Sequence, residues 1–328
     1  MSRPAEAASA ASAGAAQPGA AGHQLAAPGE FGSRPVHERA EIFAVRKAGD
    51  YTEFTVVAPG ITAGFAPGHF VAVAVGGQNT AMILRRAFAL YGAEQHPGYA
   101  GTIQFVVADK GAGTRWLTSR QVGDHLDLVG PLGTPFTAPA PGAGAVLLGG
   151  GYGAAPLLPL AAALLAREHP VELVLGAASA SRLFGELAGK RLLGQVSVFT
   201  DDGSAGRQGR VTDALGELLP QVAAAADQHL PAVERVVLYA CGPMGMLRAV
   251  GDAAAAAGIS AQVAVEEAMA CGIGVCMSCV LPVRGADGHS RFLRSCVDGP
   301  VFAASAIRWD DVGSLPDDLL GADAMQGH

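Results

Sequence analysis

The stretch Ala145-Val-Leu-Leu-Gly-Gly-Gly-Tyr-Gly-Ala-Ala-Pro156 joins four apolar residues to a run of glycines. The apolar part reads as a buried strand, and the glycines precede a helix-like Ala/Leu segment that continues to Arg167. A glycine turn at such a junction lets a dinucleotide pyrophosphate reach the N–H groups of the helix. The strict GxGxxG spacing is missing, so a plain strand-to-helix turn remains the alternative. The candidates for this contact are Gly149, Gly150, Gly151 and Gly153.

The same strand-then-helix order repeats toward the carboxyl end. It predicts a doubly wound parallel sheet covered by helices, an α/β dinucleotide-binding domain over residues 141–258. Residues Cys241, Gly242 and Pro243 follow one of its strands, at the sheet edge where ligands bind in such folds. Cys241 is equally well explained as a small buried residue. The predicted strands contain residues 171–175, 196–199 and 236–239, and the helices lie near residues 215–225 and 244–257.

Residues 35–140 show a different pattern. Short segments rich in β-branched and aromatic residues are separated by glycine and proline, at residues 54–57, 69–73 and 102–107. Many short strands with turns between them predict an antiparallel barrel or sandwich. The first 34 residues contain mostly Ala, Gly, Pro and Ser and predict a disordered tail, and residues 313–328 are interpreted as a second tail.

Composition limits the classes of protein and partner. The chain has 328 residues, half of them hydrophobic, which is enough for a core in more than one domain. A net charge of −7 without a long basic run argues against nucleic acid as a partner. No apolar run reaches the roughly 18 residues that span a bilayer. Without a secretory signal pattern, we expect a cytoplasmic protein and no membrane partner.

Four of the five cysteines lie within 26 positions in the pattern Cys-x4-Cys-x2-Cys-x16-Cys; they are Cys271, Cys276, Cys279 and Cys296. The first part of that spacing is typical of plant-type [2Fe–2S] proteins, whose two irons need four thiolates. The intervening glycines permit a tight loop and leave room for N–H groups near the sulfurs. We therefore predict a small [2Fe–2S] domain over residues 259–312. Zinc, which usually takes paired Cys-x2-Cys motifs, and inert buried cysteines remain alternatives.

A one-electron cluster can serve a two-electron nicotinamide only through a group that handles both, and a flavin does so. The candidate flavin site combines an arginine that can pair with a pyrophosphate and a Gly-Thr pair that offers backbone and hydroxyl donors. Two adjacent arginines also occur on solvated strand edges. The arginines are Arg85 and Arg86, and the Gly-Thr pair is Gly113 and Thr114.

These motifs, in this order, resemble the ferredoxin reductase-like flavoproteins and most closely the electron-transfer subunits of NAD-dependent (class 1B) dihydroorotate dehydrogenases. The resemblance covers about residues 36–310. Its most specific parts are residues 266–279 and 296–302, with support from residues 149–156, 200–204 and 239–243.

The resemblance implies that the four cysteines ligate the cluster and that FAD is held by Arg86, Ala87, Phe88, Ala89, Val106, Val107, Ala108, Gly113 and Thr114. The family's flavin motif usually carries a proline and a serine where this chain has Ala87 and Ala89. The implied role is electron transfer from the FMN of a catalytic subunit, through the cluster and FAD, to NAD+ in pyrimidine (UMP) biosynthesis. The implied assembly has two catalytic and two electron-transfer subunits, with dihydroorotate bound on the partner.

Two other functions stay open at this stage. The chain resembles reductase subunits that serve a glutamate synthase-like, ferredoxin or hydrogenase partner, although all four cysteines favour the dihydroorotate family. A non-enzymatic redox sensor or structural metal module is the alternative from a different class. NAD and NADP are not separated: Arg182 after Ser179-Ala180-Ser181 is a candidate contact for a 2′-phosphate, but a lone arginine in a loop is usually just solvated.

Overall fold

The computed structural model describes residues 34–77, 80–95, 100–285, 287–316 and 318–319. The predicted amino-terminal tail up to residue 33 lies outside the described residues, as do residue 317 and residues 320–328 of the predicted second tail. Among the described residues, no helix combines the length and apolar character needed to cross a membrane.

The amino-terminal half of the described chain forms a closed antiparallel barrel with strand order β1-β2-β5-β4-β3-β6. Its interior is apolar: Phe54 and Phe105 are fully buried and stack with ring centroids 5.5 Å apart. This architecture confirms the predicted barrel. The strands are β1 (Val36–Ala48), β2 (Tyr51–Val57), β3 (Phe70–Val73), β4 (Arg86–Glu94), β5 (Thr102–Ala108) and β6 (His125–Leu132), and the helices are α1 (Pro59–Ala63) and α2 (Ala112–Thr118).

The second half contains a seven-stranded sheet in the order β10-β9-β8-β7-β11-β12-β15. Its strands pair in parallel except β12 with β15, so the predicted doubly wound α/β fold is confirmed. The strands are β7 (Gly144–Gly150), β8 (Val171–Ala177), β9 (Ser197–Thr200), β10 (Arg207–Gln208), β11 (Val236–Cys241), β12 (Ser260–Ala264) and β15 (Val301–Ala303). The helices are α3 (Leu157–Leu165), α4 (Glu186–Leu193), α5 (Leu215–Ala225) and α6 (Met244–Ala257).

Strand β7 lies at the centre of this sheet, between β8 and β11, and this position determines where a ligand can bind. The chain runs outward from β7 to β8 and β9 on one side, then returns to β11 and β12 on the other. Such a reversal opens a crevice beyond the carboxyl ends of the strands. Alternate side chains of β7 enter the two cores that cover the sheet, Leu147 on one face and Leu148 on the other.

Two details differ from the sequence-based expectation. The predicted α/β domain ends at Gly258, yet β12 and β15 extend the sheet beyond that residue, because strands of five and three residues are too short to show a clear period. The glycine run forms a short 3-10 turn at Gly151–Ala154 before α3, which ends at Leu165 rather than Arg167.

The cysteine segment adds a hairpin of β13 (Val280–Arg284) and β14 (Ser290–Arg294). The domain boundaries stay predictions.

Candidate functional site

The loop between β12 and β13 carries three of the four predicted cluster cysteines. Gly272 and Gly274 take positive φ angles of 72° and 83°, a region that favours glycine. A Cβ on Gly274 would lie 2.5 Å from Val297 Cγ2, so the loop is packed too closely there for a side chain. The guanidinium of Arg294 on β14 donates to the Gly274 carbonyl at 3.0 Å. The loop is therefore fixed against the hairpin that leads to Cys296.

Backbone N–H groups of this loop point at the cysteine sulfurs. Those of Ile273 and Val275 each lie 3.4 Å from Cys271 Sγ, and that of Gly274 lies 3.1 Å from Cys296 Sγ. Such hydrogen bonds stabilise thiolates and tune the potential of an iron–sulfur cluster. These backbone N–H donors suit a cluster site, because they favour the negatively charged thiolate form of the cysteines.

The thiols fall into two pairs with different surroundings. Hydrogen bonds from Ser278 and then from Cys271 lower the pKa of Cys276 to about 6. Burial, together with the neighbouring Cys279 thiol, raises the pKa of Cys296 to about 12. A coordinating metal ion reverses the second effect, because it deprotonates a bound thiol outright. The pairs are thus Cys271 with Cys276, and Cys279 with Cys296.

Two pairs are the arrangement that a [2Fe–2S] cluster requires, since four protein thiolates divide between two irons. Within the part of the chain that the structure describes, no three or more His, Cys, Asp or Glu side chains converge as they would around one metal ion. Four thiolates in two pairs fit a two-iron cluster, whereas zinc sites usually take paired Cys-x2-Cys motifs. The assignment of the four cysteines as ligands stays a prediction.

A cavity of about 580 Å³, which we call the barrel cavity, lies between the barrel, the glycine turn and the cysteine loop. Its walls include Ala268, Met269, Ala270 and Ser278 of that loop, so a ligand in this cavity contacts the cluster segment directly. Of the residues predicted for FAD or NAD, those that line it are Arg86, Ala87, Phe88, Ala89, Val106, Ala108, Thr114, Gly153, Cys241 and Gly242.

Two predicted FAD residues do not line the barrel cavity. Val107 is fully buried in the barrel core, because alternate residues of β5 point to opposite faces. Gly113 instead lies behind Arg86, where a Cβ would be 3.1 Å from the Arg86 Nε atom. The neighbouring Arg85 forms an ion pair with Asp127 of β6 instead of lining the cavity. Of the two adjacent arginines, only Arg86 therefore lines the barrel cavity.

A second cavity of about 960 Å³, which we call the sheet-edge cavity, lies beyond the carboxyl ends of the parallel strands. The predicted NAD residues Gly150, Gly151, Gly242 and Pro243 line it. Gly149 does not line this cavity. A Cβ there would lie 2.8 Å from Ala154 Cα, so a glycine is needed for β7 to pack closely against the turn that follows it. The turns after β7 and β11 touch at Gly153, where a Cβ would lie 2.5 Å from the Cys241 carbonyl oxygen.

The two cavities share a wall that the sequence analysis did not predict. Ala108, Lys110, Tyr152, Gly242 and Glu266 line both. The Tyr152 hydroxyl donates to Glu266 Oε1 at 2.6 Å and accepts from Lys110 Nζ at 2.6 Å. Burial, and next the Glu266 carboxylate, raise the pKa of Tyr152 well above its usual range, so the phenol stays protonated. The only sequence signal was the position of Tyr152 within the glycine run and of Glu266 within the cysteine motif.

Comparison with known proteins agrees with this arrangement. Residues 266–308 match the family model described as the iron–sulfur cluster binding domain of dihydroorotate dehydrogenase B. Among solved structures, the chain is similar to the NADH-dependent reduced ferredoxin-NADP oxidoreductase, with 27% identity, a TM-score of 0.67, and 87% of this chain and 95% of that chain covered. A ferredoxin NADP+ reductase from Neisseria gonorrhoeae shares the fold at 20% identity and a TM-score of 0.53, over 68% and 92% of the two chains.

Two curated relatives carry the name dihydroorotate dehydrogenase B (NAD(+)), electron transfer subunit. The protein from Desulforamulus reducens is 32% identical over 79% of this chain and 92% of its own length. The protein from Geobacillus thermodenitrificans is 37% identical over 74% and 86%, respectively. The resemblance inferred from the cysteine and glycine motifs is confirmed. This chain belongs to the family of dihydroorotate dehydrogenase B electron transfer subunits.

Proposed function

We propose that this chain is the electron-transfer subunit of an NAD-dependent dihydroorotate dehydrogenase and holds one [2Fe–2S] cluster and one FAD. The observation that carries the proposal is the continuity of its sites. The barrel cavity touches the cysteine loop on one side and shares a wall with the sheet-edge cavity on the other. When bound, the cluster exchanges single electrons, the flavin exchanges one or two, and NAD+ takes a hydride.

The cysteine loop holds the cluster and sets its electrostatics. Four thiolates supply the ligands, and the N–H groups of Ile273, Gly274 and Val275 stabilise the negative charge on sulfur. The Ser278 hydroxyl lies 3.2 Å from Cys276 Sγ and donates to the Ala268 carbonyl at 3.1 Å. Ser278 thereby links a ligand to a wall of the barrel cavity.

The barrel cavity holds FAD through one cation, one hydroxyl and an apolar surface. Arg86 supplies a guanidinium for the pyrophosphate, and Thr114 caps the start of α2 by accepting the N–H of Gly111 at 2.9 Å. Ala87 and Ala89 face the cavity with methyl groups only. The flavin ring therefore relies on backbone groups and on packing in this stretch of β4.

The sheet-edge cavity would take NAD+, and the glycine turns after β7 and β11 would hold its pyrophosphate. Tyr152, held by Lys110 and Glu266, lies in the wall that the two cavities share, where it would position the groups bound on either side. Since the Tyr152 phenol stays protonated, it acts as a hydrogen-bond donor and as packing surface.

The catalytic partner docks on the cysteine loop. Large apolar side chains are exposed around it: Val275 is 76% exposed, and Ile273, Met277 and Val297 are exposed by 53%, 51% and 42%. Such a patch is typical of a protein interface. The partner carries FMN and the dihydroorotate site, and the assembly is a heterotetramer of two catalytic and two electron-transfer subunits. The cytoplasmic location stays a prediction from sequence.

The test is iron, sulfide and flavin analysis of the purified chain, alone and co-expressed with a candidate dihydroorotate-oxidising subunit. We expect two irons, two sulfides and one FAD, with NAD+ reduction by dihydroorotate only in the complex. A zinc-bound, flavin-free chain contradicts the proposal. A loaded chain that fails with every dihydroorotate-oxidising partner but accepts electrons from another oxidoreductase supports the alternative of a different reductase complex.

The variant Cys276→Ser separates the cluster from the flavin. We expect it to abolish electron flow between the catalytic subunit and NAD+ and to leave NADH-to-dye reduction through FAD in place. Cys241→Ser is the control for iron content alone: this fifth cysteine lies outside the loop, so both irons should remain, but it lines the barrel cavity. Equal loss of both activities in Cys276→Ser would mean that the loop is needed for folding.

A further inference from the structure

The hydroxyl of Ser278 lies between the cysteine loop and the wall of the barrel cavity. It accepts the N–H of Ala270 at 3.0 Å, donates to the Ala268 carbonyl at 3.1 Å, and lies 3.2 Å from Cys276 Sγ. Ala268, Ala270 and Ser278 all line the barrel cavity. One hydroxyl therefore contacts both a predicted cluster ligand and the surface of the predicted flavin site.

This hydroxyl has two acceptors within reach and a single hydrogen. While Cys276 carries its own hydrogen, the thiol can donate to the Ser278 oxygen, and the hydroxyl hydrogen can bond to the Ala268 carbonyl. Iron ligation removes the hydrogen from sulfur, because the thiolate is the ligand. The sulfur of Cys276 and the carbonyl of Ala268 are then both acceptors for the same hydrogen.

The charge on the sulfur decides between the two acceptors. A hydrogen bond to an ionised acceptor is roughly twice as strong as one between neutral groups. Reduction of a cluster adds one electron, and here no proton moves with it, since the hydroxyl keeps its hydrogen and changes only its acceptor. The additional negative charge strengthens hydrogen bonds to the sulfur ligands, and such bonds raise the reduction potential.

We propose that the Ser278 hydroxyl raises the reduction potential of the cluster by turning from the Ala268 carbonyl to Cys276 Sγ when the cluster is reduced. The inference rests on the proposed cluster at the four cysteines of the loop. A higher potential favours the arrival of electrons from the catalytic subunit. The carbonyl that the hydroxyl leaves belongs to the wall of the flavin site, so the same movement changes the polarity of that wall.

The test is a redox titration of the iron-loaded chain, in which electron paramagnetic resonance measures the reduced cluster. Ser278→Ala removes the hydroxyl and keeps the Ser278 N–H, which also bonds to the sulfur of Cys276. We expect a shift of about 30–60 mV to more negative potential, which corresponds to a reduced-to-oxidised ratio about three- to tenfold lower at a fixed potential. The lower end applies where water, which reaches the exposed Cys276, replaces part of the lost bond. The matched control is Ser314→Ala, whose hydroxyl donates to the Asp311 carbonyl outside the loop, and its potential should equal that of the wild type.

Two further variants separate the hydroxyl from the shape of the side chain. Ser278→Thr keeps the hydroxyl and should retain the wild-type potential, whereas Ser278→Val has the same shape without the hydroxyl and should match Ser278→Ala. This pair decides the question where Ser278→Ala fails to hold iron. A change of less than about twofold in the ratio for Ser278→Ala, or equal potentials in the threonine and valine variants, overturns the proposal.

Failure of this inference is distinct from failure of the proposed function. A wild-type chain that binds no iron contradicts the proposed function, and this inference with it, and the iron and sulfide analysis shows this before any titration. A chain with two irons and an unchanged potential in Ser278→Ala contradicts this inference alone. Neither dihydroorotate nor NAD+ takes part in the titration, so the result does not depend on the physiological source of electrons.

Discussion

The substitution Gly153→Ala tests whether the contact between the two glycine turns holds both cavities in shape. A Cβ on Gly153 would lie 2.5 Å from Cys241 O, 2.7 Å from Cys241 C and 2.8 Å from Gly242 Cα. All three are backbone atoms, which cannot rotate away as a side chain can. Reaching an ordinary contact of 3.4 Å from the carbonyl oxygen requires a displacement of about 0.9 Å.

That displacement sets the expected magnitude. Overpacking of this kind costs about 1–3 kcal/mol of folding free energy. The moved residues line both cavities at Gly242, and a misplacement of about 1 Å between reacting groups lowers a rate by up to ~100-fold. We therefore expect Gly153→Ala to destabilise the chain by about 2 kcal/mol and to reduce the kcat of NADH-to-dye transfer about 10- to 100-fold.

The assay combines urea unfolding with steady-state NADH oxidation by a dye. Gly216→Ala is the matched control, because this glycine lies on α5 with nothing within 4 Å of an added Cβ. That variant should gain about 0.5–1 kcal/mol of stability, as alanine does in a helix, and keep full activity. Wild-type stability and activity in Gly153→Ala would refute the argument that the two turns depend on this close approach.

Three further perturbations follow from the structure. Val275→Glu places a charge in the exposed apolar patch and should weaken association with the catalytic subunit at least tenfold, as measured by calorimetry. Iron content and dye reduction should not change. A loss of iron would mean that the substitution disturbs the cluster loop rather than the interface. Tyr152→Phe removes the hydroxyl between Lys110 and Glu266, whose side chains are largely exposed, and should lower the free energy of unfolding by only about 0.5–1.5 kcal/mol, whereas an unchanged value would mean that water replaces it. Burial lowers the pKa of His69 to about 4, so at intermediate pH the unfolded chain binds more protons than the folded one. The contribution of neutral His69 to the free energy of unfolding is complete above about pH 6.5 and is lost as the pH falls toward 4, a loss of about 2 kcal/mol between pH 7.5 and 5.0. His69→Asn should flatten the plot of unfolding free energy against pH over that range. An equal slope in both proteins would exclude the histidine as its cause.

The sequence by itself predicted the parts of this protein that are local along the chain. The four predicted cysteine ligands lie within 26 positions, and the glycines that shape their loop stand between them, so the spacing alone predicts a two-iron site. The glycine run after β7 is local as well, because a turn and its strand are neighbours in sequence. Strand-and-helix periodicity then predicted a barrel followed by a doubly wound sheet, since burial alternates regularly within each element.

Only the tertiary structure determined how these parts meet. The hydroxyl of Tyr152 joins Lys110 and Glu266, which are 42 and 114 positions away, and Asp50 receives the Ser181 hydroxyl from 131 positions away. No periodicity links such residues, because their contacts depend on how the barrel, the sheet and the cysteine loop pack together. The shared wall of the two cavities and the contact of Asp50 with the loop after β8 are therefore properties of the folded chain, whereas the cluster motif is already readable in the sequence.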